Sequence, residues 1–145
     1  MNEILKIPFA AFDNNWDDLQ LFLKHKGNPP YEITDDLDLR GTYIESLGNL
    51  TSVGGYLFLC RSKIESLGNL TSVGGKLSLW RSKIESLGNL TSVGGSLDLN
   101  KCNIESLGNL TSVRGSLFLE GTPLSEKYTE KEIRSMVKIG LKIYF

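Results

Sequence analysis

The chain has one histidine, two cysteines and almost no charge imbalance, with 16 basic against 17 acidic residues in 145. Each scarcity removes a class of function. Cys60 and Cys102 are too few for a disulfide framework. With His25 as the sole imidazole, no cluster of zinc ligands can be assembled. A net charge near zero supplies no global field toward nucleic acid or anionic lipid. The opening MNEILKIPFAAFDNNWDD lacks a basic stretch followed by a sustained apolar run, so no secretory signal is read there. No apolar run reaches the roughly 18–20 residues of a membrane span. Cytoplasm is the expected compartment.

Catalytic chemistry is equally sparse. His25 falls near the end of a predicted helix, where a solvated base favours the C-terminal dipole. Gly74-Gly75-Lys76 invites comparison with a phosphate loop, but Leu70 stands where that motif needs glycine and Leu77 where it needs Ser or Thr. Asp35, Asp36 and Asp38 read as solvating acids. Nothing assembles a nucleophile, a base and an oxyanion site. No enzyme, cofactor or metal is expected.

What the chain does have is a repeat. IESLGNLTSVGG begins at Ile44, Ile64 and Ile84, and returns at Ile104 with Arg114 where the other copies carry glycine. A fixed period of 20 residues means a solenoid. The four Asn-Leu-Thr sequons at Asn49, Asn69, Asn89 and Asn109 are one match copied by duplication. Each copy leads into an alternating tail, Tyr56 to Cys60, Lys76 to Trp80, Ser96 to Asn100 and Ser116 to Glu120. That alternation predicts a short strand with its leucines inward. The glycine pair before it permits a sharp turn. Only about ten residues separate one strand from the next apolar corner, which leaves an extended or turn-like arc rather than a helix. Single units cannot bury their leucines alone, and stacking several makes one continuous core. Cys60 and Cys102, two rungs apart, would stand roughly 10 Å from each other, beyond disulfide reach. Cys60 is the more exposed and the more open to reaction.

The segments LDLRGTYI (37–44), LFLCRSKI (57–64), LSLWRSKI (77–84), LDLNKCNI (97–104) and LFLEGTPL (117–124) resemble the leucine-rich repeat pattern, L-x-L-x-x-[N/C/T]-x-[L/I]. The fuller unit is similar to the helix-poor repeats of receptor L-domain-like and small bacterial or phage leucine-rich proteins. Two departures are Ser62 and Ser82 at the small polar position, and Val53 standing four rather than three residues before Leu57. The resemblance implies a right-handed coil with one parallel sheet of about 5–6 short strands. It implies that Thr42, Ser62, Ser82, Cys102 and Thr122 bond to neighbouring coils. For function it implies protein binding in general terms.

An open stack needs caps. Asn15 to Gly27 predicts a short helix with Asn15 as N-cap and Gly27 just past its end. Pro29-Pro30 then forces an extended lead into the first coil. Thr129-Glu130-Lys131-Glu132 is a capping-box sequence opening a helix to about Val137. After Gly140 the alternation returns and supplies a final rung. The expected organisation is one leucine-rich domain over 1–145: an N-terminal cap (1–34), five repeats (35–124), and a C-terminal cap helix with a last strand (125–145).

Function is expected on the outward strand positions, because these vary while the core does not. They form columns: Asp36, Tyr56, Lys76, Ser96, Ser116; then Asp38, Phe58, Ser78, Asp98, Phe118; then Arg40, Cys60, Trp80, Asn100, Glu120, extended by Tyr144. Arg61, Arg81 and Lys101 lie just beyond, followed by Tyr43, Lys63, Lys83 and Asn103. Aromatics flanked by Arg and acids have the composition of a protein-binding hot spot. The expected site is therefore Arg40, Tyr56, Phe58, Arg61, Lys76, Trp80, Arg81, Asp98, Asn100, Phe118 and Glu120. The expected function is non-enzymatic protein binding, with inhibition of a host or rival protein as the output suggested by the phage and bacterial likeness. Three alternatives stand beside it. One is nucleic-acid binding through the Arg/Lys column, opposed by Asp98, Glu120 and the neutral balance. Another is glycan or cell-surface recognition. The third is drift after duplication, since aromatics suit strands anyway.

Overall fold

The leucines at 57, 77, 97 and 117 stack on one another across four successive coils, each of them fully buried. The computed structural model describes residues 4–145. It is a parallel β-solenoid whose coils repeat at about 20 residues. One sheet has six strands, in spatial order Leu37–Asp38, Leu57–Phe58, Leu77–Ser78, Leu97–Asp98, Leu117–Phe118 and Ile143–Tyr144. The ladder continues past the strand ends, with Leu59 N–H donating to Ser78 O at 2.9 Å and Arg61 N–H to Trp80 O at 2.8 Å.

The arc expected to be extended or turn-like forms a second parallel sheet. Its seven strands are Leu5–Ile7, Tyr31–Ile33, Leu50–Val53, Ser72–Val73, Ser92–Val93, Ser112–Val113 and Lys138–Ile139. Leu50 and Val53 are both buried, so the two residues between them both face outward. Thr71 N–H donates to Thr51 O and Gly74 N–H to Val53 O, each at 2.8 Å. The threonine hydroxyls add a second ladder: Thr71, Thr91 and Thr111 donate to the carbonyl of the threonine below at 3.0, 3.0 and 2.9 Å.

The small polar slots depart from what the resemblance implied. Cys102 Sγ reaches the neighbouring coil, 2.8 Å from Leu79 O. Thr42 and Thr122 instead donate within their own coil, to Leu39 O and Leu119 O. Ser82 Oγ faces Cys102 Sγ at 3.6 Å, and the buried Ser62 Oγ has no partner among the described residues. Burial pushes the Cys102 thiol pKa up, as expected for an inert core cysteine.

Helix α1 (Trp16–His25) caps the first coil, burying Leu19 and Leu23. Asn15 Oδ1 accepts from Asp18 N–H at 3.0 Å, the predicted N-cap. The acids of the first coil are bonded rather than merely solvating. Asp35 accepts from Phe9 N–H and Ala10 N–H at 2.6 and 3.1 Å, and Asp36 accepts from Tyr56 N–H at 3.0 Å. At the other end a short helix α2 (Pro123–Lys127) precedes α3 (Glu130–Met136), whose capping box pairs Thr129 with Glu132. Arg134 then donates to Ile139 O and Leu141 O, at 3.1 and 2.7 Å, and so holds the last coil. Among the described residues no helix is long and apolar enough to cross a membrane.

Tyr31 ties the N-terminal cap to the stack. Its ring is buried, its hydroxyl donates to Leu47 O at 2.8 Å, and Gln20 Nε2 donates to it at 3.3 Å. Burial pushes the phenol pKa up to about 12, against an ordinary value of 10.0. In that window the unfolded chain has lost a proton that the folded one keeps. Stability is therefore full below pH 10 and falls as pH rises through the folded pKa, by about 2–3 kcal/mol in total. Urea midpoints at about pH 9 and about pH 11.5 should lie closer together in Tyr31→Phe, where the phenol's contribution is gone and that of the buried Cys102 thiol remains. An unchanged pH slope in that variant would contradict the assignment.

Candidate binding surface

The six-stranded sheet presents outward side chains in register: Asp38, Phe58, Ser78, Asp98 and Phe118 form one row. Tyr144 pairs with Phe118, and Ile143 with Leu117. It therefore extends this row, not the row of Glu120 as the alternation suggested. The last coil arrives through α3, and Ile143 takes the core position of Leu117.

Ser78 is the second departure. It lies in an outward row yet is only 4% exposed. It is the smallest residue between Phe58 and Asp98, and its Oγ rests 3.0 Å from Cys60 Sγ. The dip in side-chain size makes a depression of about 300 Å³, lined by Arg40, Phe58, Cys60, Lys76, Ser78, Trp80, Asp98 and Asn100. A second depression of about 470 Å³ adjoins it, lined by Arg40, Gly41, Thr42, Tyr43, Cys60, Arg61, Lys63 and Trp80. Arg40, Cys60 and Trp80 are common to both, so the two make one groove across the middle of the sheet.

The aromatics are not isolated on this face. Tyr56 stacks behind Phe58 with ring centroids 4.2 Å apart, and Phe118 stacks on Tyr144 at 4.7 Å. Arg40 lies 4.8 Å from the Phe58 ring and grips Asp38 through Nε (2.9 Å) and Nη2 (2.6 Å). That guanidinium holds the Asp38 carboxyl below its usual range. Trp80, half-buried, stands alone between the two stacks. The guanidinium carbons of Arg61 and Arg81 each lie 4.9 Å from its ring centroid. A tryptophan face is the strongest aromatic partner for a cation.

The backbone that carries these arginines is strained. Residues 41, 61, 81, 101 and 121 all adopt left-handed φ, at 76°, 58°, 57°, 64° and 72°. Glycine fills the slot at both ends, Gly41 and Gly121; the inner coils hold Arg61, Arg81 and Lys101. A side chain there costs about 1 kcal/mol that glycine avoids. The conformation is imposed by the ladder, since Arg61 N–H, Arg81 N–H and Lys101 N–H donate to Trp80 O, Asn100 O and Glu120 O.

Of the expected site residues, the structure gathers Arg40, Phe58, Lys76, Trp80, Asp98 and Asn100 around one depression, with Arg61 in the next and Arg81 against Trp80. Phe118 and Glu120 stand outside the groove; Glu120 pairs with Lys101 at 3.3 Å. Asn100 Oδ1 accepts from Glu120 N–H at 2.8 Å, so its amide bridges rungs. Sequence reasoning missed the groove itself. Its signal was the small Ser78 in a row of large residues. Among the described residues no three His, Cys, Asp or Glu side chains lie close enough to hold a metal ion. No family model, no curated protein and no solved structure matches the chain.

Proposed function

We propose that this solenoid is a protein-binding module of the leucine-rich-repeat type, and that it grips its partner with the groove of the six-stranded sheet. One observation carries the reading: Trp80 stands half-buried at the junction of two depressions, with a guanidinium 4.9 Å from its ring on behalf of each of two coils. Rigid aromatic and arginine side chains around a shallow depression are the composition of an interface hot spot. The seven-stranded sheet makes the contrast. Its four central strands carry the same Thr, Ser and Val, and the one change beside them is Arg114 in the last copy. Occupying the partner is the output such a face supplies, as an inhibitor, adaptor or decoy. Cys60 and Cys102 are both free thiols, which suits a reducing cytoplasm.

The test is affinity capture with the wild-type chain and with Phe58→Ala/Trp80→Ala. A partner held by the wild type and lost by the folded double variant supports the reading. A partner held equally by both sinks it and leaves the varied face to drift.

A further inference from the structure

We infer that the segment this groove recognises is acidic, and that a carboxylate of the partner is taken by the forks of Arg61 and Arg81 beside Trp80. The inference rests on the reading of the sheet as a protein-binding face, and specifies its chemistry. Three observations converge on it.

The first is the strained slot. Gly41 and Gly121 show that the coil closes with glycine there, yet the three inner coils carry cations on left-handed backbone. The charge is also kept where the residue changes, from Arg81 to Lys101. Packing does not require these side chains, because Arg61, Arg81 and Lys101 are all exposed. An unfavourable conformation retained on the surface points to what the side chain does there.

The second is which cations remain free. Arg40 is committed to Asp38, and Lys101 to Glu120. Arg61, Lys63, Arg81 and Lys83 have no ion-pair partner among the described residues. Neither guanidinium makes a side-chain ion pair among the described residues while it lies over Trp80, so the N–H forks of both remain to donate to a carboxylate.

The third is extent. Beside Trp80 the unpaired charge of Arg61, Lys63, Arg81 and Lys83 lies between the neutralised pairs Asp38–Arg40 and Lys101–Glu120, with Lys76 and Asp98 both on the adjoining depression. A long polyanion would meet those carboxylates along the sheet; a short segment can set its acid against the arginines and turn only a neutral side chain toward Asp98. Beside the arginines, the depression floored by Ser78 between Phe58 and Trp80 accepts an apolar side chain from the same segment. The occupant is thus a peptide segment bearing one or two carboxylates next to an aliphatic or aromatic residue.

The experiment is selection from a displayed library of random peptides on the immobilised full chain. Binders are then tested against Phe58→Ala/Trp80→Ala and against Arg61→Gly/Arg81→Gly. The glycine variant should fold, since glycine already occupies that slot in the first and last coils; a thermal midpoint at or above that of the wild type, as release of the left-handed strain requires, checks this. The expected result is a set of peptides enriched in Asp or Glu beside an apolar residue. Their affinity should fall about 10- to 100-fold in the glycine variant and be partly restored in Arg61→Lys/Arg81→Lys. Peptides that need Phe58 and Trp80 but carry no acids, and that bind the glycine variant as well as wild type, overturn the inference and leave the sheet-face reading intact. No peptide dependent on Phe58 and Trp80 overturns both. An oligodeoxythymidylate bound more tightly than any peptide, with affinity collapsing in salt, replaces the acidic segment with a nucleic acid.

Discussion

Gly95→Ala is expected to destabilise the protein by about 3 kcal/mol, a large share of the total for a domain of this size. A Cβ built at Gly95 would lie 2.8 Å from Lys76 N and 2.9 Å from Gly75 C. Both atoms belong to the backbone of the coil below, so no side chain can swing aside to make room. The two coils are held at that spacing by Gly95 N–H donating to Gly75 O at 3.0 Å and by the ladders on either side. Admitting a methyl group means prising the rungs apart and loosening both sheets at once. This column is glycine in all four copies, at 55, 75, 95 and 115. The adjacent column is more forgiving despite a closer approach. A Cβ at Gly94 would lie 2.1 Å from Gly74 O, yet the last copy carries Arg114 in that slot. There the N–H to Val93 O distance opens to 3.0 Å, against 2.8 Å for Gly74 and Gly94. Gly94→Ala should therefore cost less than Gly95→Ala. Urea midpoints at constant slope measure both, and an unshifted midpoint for Gly95→Ala contradicts the rung contact described.

Binding should respond as strongly to the groove as stability does to the glycines. Phe58→Ala with Trp80→Ala is expected to weaken a captured partner by about 1,000-fold, the loss of two neighbouring hot-spot anchors. The pair acts through more than its own surface. Phe58 is backed by Tyr56 and covered by Arg40; Trp80 positions Arg61 and Arg81. Removing both rings frees the Arg61 and Arg81 guanidinium groups to wander, while Asp38 still holds Arg40, and flattens the wall between the two depressions. Stability should change little by comparison, because both rings are only half-buried while Leu57, Leu59, Leu77 and Leu79 beneath them are fully buried. Isothermal titration against the captured partner, with circular dichroism to verify the fold, separates the two effects. Substituting Thr71 on the opposite sheet with Lys should leave affinity unchanged. A loss there equal to that at Trp80 would move the interface to the wrong face.

The sequence showed the coil because leucines at fixed spacing have one packing solution, and it showed both caps because Asn15 and Thr129 are local hydrogen-bonding devices. The second sheet was hidden for a physical reason. Leu50 and Val53 are separated by two outward residues, so no period-two alternation exists to detect. The β-branched Thr and Val were the available signal. The first rung, Leu5–Ile7, was invisible because it precedes α1 in sequence but pairs with Tyr31–Ile33 beyond it. The varied columns were legible as candidates, but not which of them meet. Ser78 becomes a floor only because its neighbours across the rungs are Phe58 and Asp98. The strained slot was legible in principle, since glycine at 41 and 121 frames the cations at 61, 81 and 101.

The central claim is that the middle of the six-stranded sheet is where a partner docks. Amide and indole NMR shifts on titrating the captured partner or a selected peptide test it most directly. The prediction is that the largest changes fall on the Trp80 indole and on the backbone of Phe58, Arg61, Ser78, Arg81 and Asn100. Shifts concentrated instead on Thr71, Ser92 and Thr111, with the Trp80 indole unmoved, would contradict it.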